Sequence, residues 1–201
     1  MPMPKKWMID IDECLLEFMP DFLDCYNARN FQRHGKKFRK EDIHSYDFWR
    51  IFGIGEAELT SEVDFFYESD KFRKLGASEG ASELLGQLNG DAVAVTARPE
   101  HTRRITQYNL RLRFGELAPS VFFAEPYTPL LKRDSIIYPT KVEICLNQGV
   151  KYAVEDSLSQ VIRLAEAGIK VFLVTQPWNR NALHLPKGVK RVKSLREIVI
   201  A

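Results

Sequence analysis

The chain has 201 residues, 45% of them hydrophobic and 28% charged, with a formal net charge of +2. That size fits one domain with a sizeable insertion, or two small ones, and the composition is globular, which excludes a fibrous or disordered chain. No apolar run approaches the ~18 residues of a membrane span, so no membrane partner is expected.

The first residues, Met1-Pro2-Met3-Pro4-Lys5-Lys6, are basic but lack a continuous apolar run, so no signal peptide is expected. Trp7–Asp10 reads as a strand ending in an acid. From Leu15 to about Glu79 the pattern is helical and aromatic-rich, with Phe18, Phe22, Tyr26, Tyr46, Phe48, Trp49, Phe65, Phe66, Tyr67 and Phe72 and no clear strand. A helical insertion with a small core of its own is predicted there. Inside it, Arg29, Arg33, His34, Lys36, Lys37, Arg39 and Lys40 form a basic stretch. A solvated loop is the preferred reading, ahead of a patch that draws an anionic substrate. Nucleic acid is disfavoured, because only Phe31 and Phe38 interleave as stacking residues.

The second half alternates. Strands are predicted at Asp91–Val95, Val121–Phe123, Tyr152–Glu155 and Lys170–Val174, and helices at Glu100–Arg113, Thr140–Gln148, Leu158–Ala167 and Leu195–Ile200. Gly149 and Gly168 stand where helix stops belong. Short apolar runs between amphipathic segments predict an α/β fold: a parallel five-stranded sheet between two helical layers. Cys14, Cys25 and Cys145 are an odd number without metal-ligand spacing, and read as reduced thiols of a cytoplasmic protein.

The chemistry-bearing residues fall at the predicted strand ends. Asp10 and Asp12 lie at the carboxyl edge of the first strand, where open α/β sheets bind ligands. Two like charges so close require a cation or a shared proton. Val93–Val95 ends in Thr96-Ala97-Arg98-Pro99, Lys141 opens a helical pattern after Pro139-Thr140, and Tyr152–Val154 ends in Glu155-Asp156. The order is acid pair, hydroxyl, lysine, acid pair.

This layout resembles the four motifs of the haloacid dehalogenase (HAD) superfamily of phosphotransferases, and the resemblance covers nearly the whole chain. Within it the chain looks most like the 5′(3′)-deoxyribonucleotidases and their bacterial and phage relatives. The residues that carry this are Asp12–Phe18, the Thr96–Pro99 block and Gln176-Pro177-Trp178-Asn179-Arg180. The resemblance implies a Rossmann-like core at 1–17 and 76–201 with a helical cap at 18–75. It also implies a Mg²⁺-dependent phosphatase for a nucleoside monophosphate by preference, with another small phosphate ester or a nucleic-acid end as the alternative substrate. Asp10 would be the nucleophile and Asp12 the general acid/base. Thr96, Ala97 and Lys141 would hold phosphate, and Asp10, Glu155, Asp156 and the Asp12 carbonyl the cation. Lys132 and Arg133 compete for the lysine role, but the spacing of Lys141 to Glu155-Asp156 is the one the family shows. Arg98 fits a phosphate contact or a salt bridge equally well. Glu13 and Cys14 depart from the usual Gly and Thr or Val, so a phosphate-binding relative without turnover is the alternative from another class. Phe48 and Trp49 are candidate base-stacking residues of the cap, against a core role. The Trp178 segment is read as structural.

Overall fold

The computed structural model describes residues 6–126 and 137–200, so Lys132 and Arg133 fall outside the described residues. β1 (Lys6–Ile9) runs into the two-residue β2 (Leu16–Glu17) and then into the helices α1 (Met19–His34), α2 (Phe48–Phe52) and α3 (Glu56–Tyr67). The chain returns through β3 (Gly76–Ala77), which pairs antiparallel with β2. Segment 18–75 therefore leaves and re-enters the sheet region through a two-stranded stem. There follow α4 (Ala81–Leu88), β4 (Ala92–Thr96), α5 (Arg103–Phe114), β5 (Ser120–Phe123), α6 (Lys141–Asn147), β6 (Val150–Glu155), α7 (Leu158–Glu166), β7 (Lys170–Val174) and β8 (Val189–Val192).

The local reasons are conventional. β4 reads Ala-Val-Ala-Val-Thr and is buried throughout, as a central parallel strand covered on both faces must be. α1 begins with Pro20 in its first turn and stops at Gly35, whose φ of 63° suits the left-handed cap. α6 starts from a capping box, in which Thr140 and Glu143 satisfy each other's backbone N–H groups.

The main sheet is parallel throughout, in the order β5-β4-β1-β6-β7-β8. It has six strands, one more than predicted. β8 was missed because Val189-Lys190-Arg191-Val192 carries two charges and only Val192 is fully buried, which is what an edge strand needs to resist further pairing. The helix expected at Leu195–Ile200 is only a 3-10 turn, Leu195–Glu197. So short a helix gains too little to propagate, and Leu195 and Ile198 are buried instead in irregular chain.

β1 is central. The chain builds outward from it through β4 to β5, then crosses back to place β6 on its other side. The carboxyl ends of β1 and β6 flank this topological switch point, where the sheet opens a crevice.

In the insertion, Phe22, Tyr26, Phe38, Phe52 and Phe66 are buried and pack ring on ring, with Tyr26 and Phe52 stacked at 4.2 Å. They join the cluster of Trp7, Ile9 and Leu84 on the sheet face, so the insertion's core is continuous with that of the sheet. Much of the basic stretch is neutralised: Arg29 and Arg33 pair with Glu62 and Glu58 of α3, and Lys40 with Glu13. Among the described residues no helix is long and apolar enough to cross a membrane. Cys14, Cys25 and Cys145 are free thiols.

Candidate active site

Asp10 follows β1, held by its N–H donating to the Val154 carbonyl of β6 at 3.0 Å. Glu155 ends β6 and is fully buried. Lys141, the first residue of α6, reaches between them: its Nζ donates to Asp10 Oδ1 and Glu155 Oε2, both at 2.7 Å. The other Glu155 oxygen accepts the N–H groups of Asp156 (3.2 Å) and Ser157 (3.1 Å). Burial, then the Glu155 charge, push the Asp10 carboxyl up to about 7 against the pull of Lys141. Burial opposes the charge on Lys141, but Asp10 and Glu155 outweigh it and hold the ammonium well above its ordinary value.

Asp156 lies beside this trio. Its Oδ2 accepts two hydrogen bonds, from the Tyr46 hydroxyl at 2.7 Å and from Trp178 Nε1 at 2.9 Å. Asn179 Nδ2 donates to the Asp156 carbonyl and to the Val174 carbonyl, both at 2.8 Å, which fixes the loop after β7 against the one after β6. Burial and repulsion from Glu155 and Asp10 raise the Asp156 carboxyl well above the usual range.

Among the described residues Lys141 is the one cation paired within this cluster, so ionisation of all three acids would leave two negative charges unmet in a buried site. Carboxylate oxygens of Asp10 and Asp156 and the Cys14 sulfur lie within 4.8 Å of one another. Two hard carboxylate oxygens with an excess of two charges fit a divalent cation of the Mg²⁺ type, which keeps several waters. Glu155, expected among the ligands, has both oxygens engaged, one by Lys141 and one by backbone amides. Cys14 is fully buried, and burial followed by the three acids pushes its thiol up, as for a small packing residue.

Asp12 faces another partner. Arg98 Nε approaches its two oxygens at 2.9 and 3.2 Å, and a second guanidinium nitrogen completes a fork. Arg98 is 2% exposed. It also donates to Thr106 Oγ1 at 3.0 Å and lies over the Phe72 ring at 4.7 Å. Of the two readings for Arg98, the structure has the salt bridge. The Thr96 hydroxyl is buried and accepts the Arg98 N–H at 3.1 Å, behind the cavity wall, whereas Ala97 lines the cavity. Glu13 has a φ of 59°, in the left-handed region that favours glycine. Its carboxylate offsets that strain by accepting the Met19 N–H and pairing with Lys40, so its charge is met from the insertion.

Asp10, Asp12, Lys141 and Asp156 all open onto one cavity of about 640 Å³. The insertion adds Tyr46, Phe48, Trp49, Leu59, Val63 and Tyr67 to its walls, with Trp178 beside them. Phe48 and Trp49 are half-buried on this wall. Phe52 and Phe66 are in the core, and Phe65 lies outside under the Arg29 guanidinium at 3.7 Å. The Tyr46–Asp156 bond joins residues 110 positions apart, and no local pattern announces it.

No family model matches the sequence, and no curated protein does. Solved structures do match. An HAD hydrolase of family IA, variant 3, from Entamoeba histolytica is similar with a TM-score of 0.61 at 14% identity, over 98% of this chain and 96% of that one. An HAD family hydrolase from Deinococcus radiodurans, solved with bound phosphate and sodium, has a TM-score of 0.58 at 16% identity, over 87% and 84%. A candidate phosphoglycolate phosphatase from Lactobacillus plantarum has a TM-score of 0.64 at 15% identity, over 96% of both chains. At such identity the likeness speaks to architecture, and with the strand-end acids at the switch point it identifies this chain as one with the haloacid dehalogenase fold.

Proposed function

We propose that this chain is a Mg²⁺-dependent phosphomonoester hydrolase that works through an aspartyl-phosphate on Asp10. One observation carries the reading: Asp10, paired to Lys141 and beside Asp156, opens onto the same cavity as Asp12. Lys141 engages Asp10 Oδ1 and so fixes the carboxylate in one orientation, which a weak nucleophile requires. The other Asp10 oxygen attacks phosphorus while the ester P–O bond breaks. Asp12, once it has taken up a proton in exchange for its Arg98 pairing, delivers that proton to the departing alkoxide oxygen, then takes one from the water whose oxygen attacks the acyl-phosphate. Inorganic phosphate leaves and Asp10 is regenerated. Such acid–base help contributes roughly 10²–10⁴-fold. Lys141 and the chain at Thr96-Ala97 hold the phosphoryl oxygens. Asp10, Asp156 and the Asp12 carbonyl would hold Mg²⁺, which when bound offsets the charge of the phosphoryl oxygens.

Segment 18–75 acts as the cap, because it supplies the wall opposite the carboxylates. The favoured substrate is a nucleoside monophosphate. A cavity of about 640 Å³ with the half-buried faces of Phe48 and Trp49 on its wall suits a base above a phosphate. Stacking of this kind is worth ~1–3 kcal/mol per base. The pairing of Glu13 with Lys40 argues against a spoiled site, since its charge is already met.

The test is a panel. Phosphate release is measured from p-nitrophenyl phosphate with and without Mg²⁺, then from nucleoside and deoxynucleoside monophosphates and from phosphoglycolate. Mg²⁺-dependent release with preference for a nucleotide is expected. Preference for phosphoglycolate would keep the chemistry and replace the substrate, and no release from any ester would overturn the hydrolase.

A further inference from the structure

Asp156 is held in a way that a purely core-built cation site would not require. Of the two donors on its Oδ2, Trp178 belongs to the loop after β7, but Tyr46 belongs to the insertion, just before α2. Tyr46 stands edge-on to Trp178 at 5.8 Å and stacks on Phe48 at 5.9 Å, so its ring is wedged between the cap wall and the core loop. A second link runs nearby, from Lys40 of the insertion to Glu13 beside Asp12. Placing both donors on one oxygen orients the carboxylate and leaves its other oxygen for a cation.

We propose that Tyr46 is a positioning residue for the cation site, and that through it cation binding and closure of the cap are linked. The inference rests on the hydrolase reading above, in which Asp156 is a cation ligand. Hydrogen bonds from an outer layer commonly set ligand orientation, and their loss costs about 10–100-fold in metal affinity. Because this donor sits on the cap, the coupling is reciprocal: a closed cap strengthens cation binding, and a bound cation stabilises the closed cap. Tyr46 reaches the Asp156 side chain itself and offers a neutral donor, so it orients the ligand without competing for the site's charge.

Calorimetric titration of the full chain with Mg²⁺, together with amide hydrogen exchange over residues 45–52, tests this without any turnover assay. Wild type should bind Mg²⁺, and exchange at 45–52 should slow on binding. Tyr46→Phe, first shown by thermal melting to be folded, should bind about 10–100-fold more weakly and lose the slowing. Trp178→Phe, which removes the donor on the core side, should also bind more weakly yet keep the slowing. Tyr46→Phe that binds like wild type, or that retains the slowing, overturns the coupling and leaves the cation site standing. If Tyr46→Phe does not fold, the wild-type exchange decides, and no slowing on Mg²⁺ binding overturns the proposal. Wild type that takes up no Mg²⁺ overturns the cation site and the coupling with it.

Discussion

Asp10 and Asp12 are two residues apart, yet they stand in opposite electrostatic surroundings. On the β4 side of the cavity Asp12 meets Arg98 in a forked pair, one charge against one. On the β6 side Asp10 shares Lys141 with Glu155, and among the described residues no cation pairs with Asp156, three acids against one cation. A balanced pair fixes a side chain; an unbalanced cluster creates demand for a charge from outside. In the proposed reaction these are the acid–base side and the cation side, although both grow from one turn of chain.

The largest effect that could break this division is at Asp10. Asp10→Asn keeps the shape and removes the attacking charge, and turnover should fall by roughly a thousandfold or more, as at other covalent nucleophiles. The fold should survive, because the strand-end site is not a packing position. Residual activity within tenfold of wild type would sink the covalent route.

Asp12→Asn sharpens the other side. A poor alkoxide leaving group needs the proton, so release from a nucleotide should drop by about 10²–10⁴-fold. p-Nitrophenolate leaves without one, so the loss on that ester should be much smaller in the first step. Equal losses on both substrates would remove Asp12 from the acid role.

A smaller effect is expected at the cap wall. Trp49→Ala should raise the Michaelis constant for a nucleotide by ~5–150-fold, the equivalent of ~1–3 kcal/mol of stacking. Its melting temperature and its rate on p-nitrophenyl phosphate should stay near wild type. A lowered melting temperature with losses on both substrates together would mean that Trp49 serves packing.

The crowded side should also show a pH dependence. With the Asp10 carboxyl at about 7 in the folded chain against 3.8 unfolded, the folded state binds the extra proton. Cation-free protein should therefore lose stability as pH rises from about 4 to about 7, by linkage. Mg²⁺ should flatten that decline and bind more tightly at the upper end, as its ligands shed protons. Thermal melts across this range, with Mg²⁺ and with chelator, check it; parallel curves would deny that cation and proton compete for Asp10.

Much of the frame was legible in the chain, and the failures are physical. β4 and β7 announce themselves as apolar runs, and Thr140 with Glu143 announces the helix that presents Lys141. β8 was hidden because half its exposed face is charged, and the Leu195 turn looked helical because its apolar spacing serves burial without a helix. At the site, the sequence brought Asp10, Asp12, Lys141 and Glu155-Asp156 to strand or helix ends, but it could not apportion their partners. Thr96 turned its hydroxyl to the Arg98 backbone, and Glu155 turned to Lys141.

By itself the sequence determined where the chemistry-bearing groups leave the sheet, because strand ends, caps and turns depend on residues a few positions apart. Only the tertiary structure decided which acid is balanced and which is not, and that Tyr46 and Trp178 share one oxygen of Asp156. Those choices join residues 14 to 131 positions apart. They follow from burial and charge balance in the folded interior, which no local periodicity encodes.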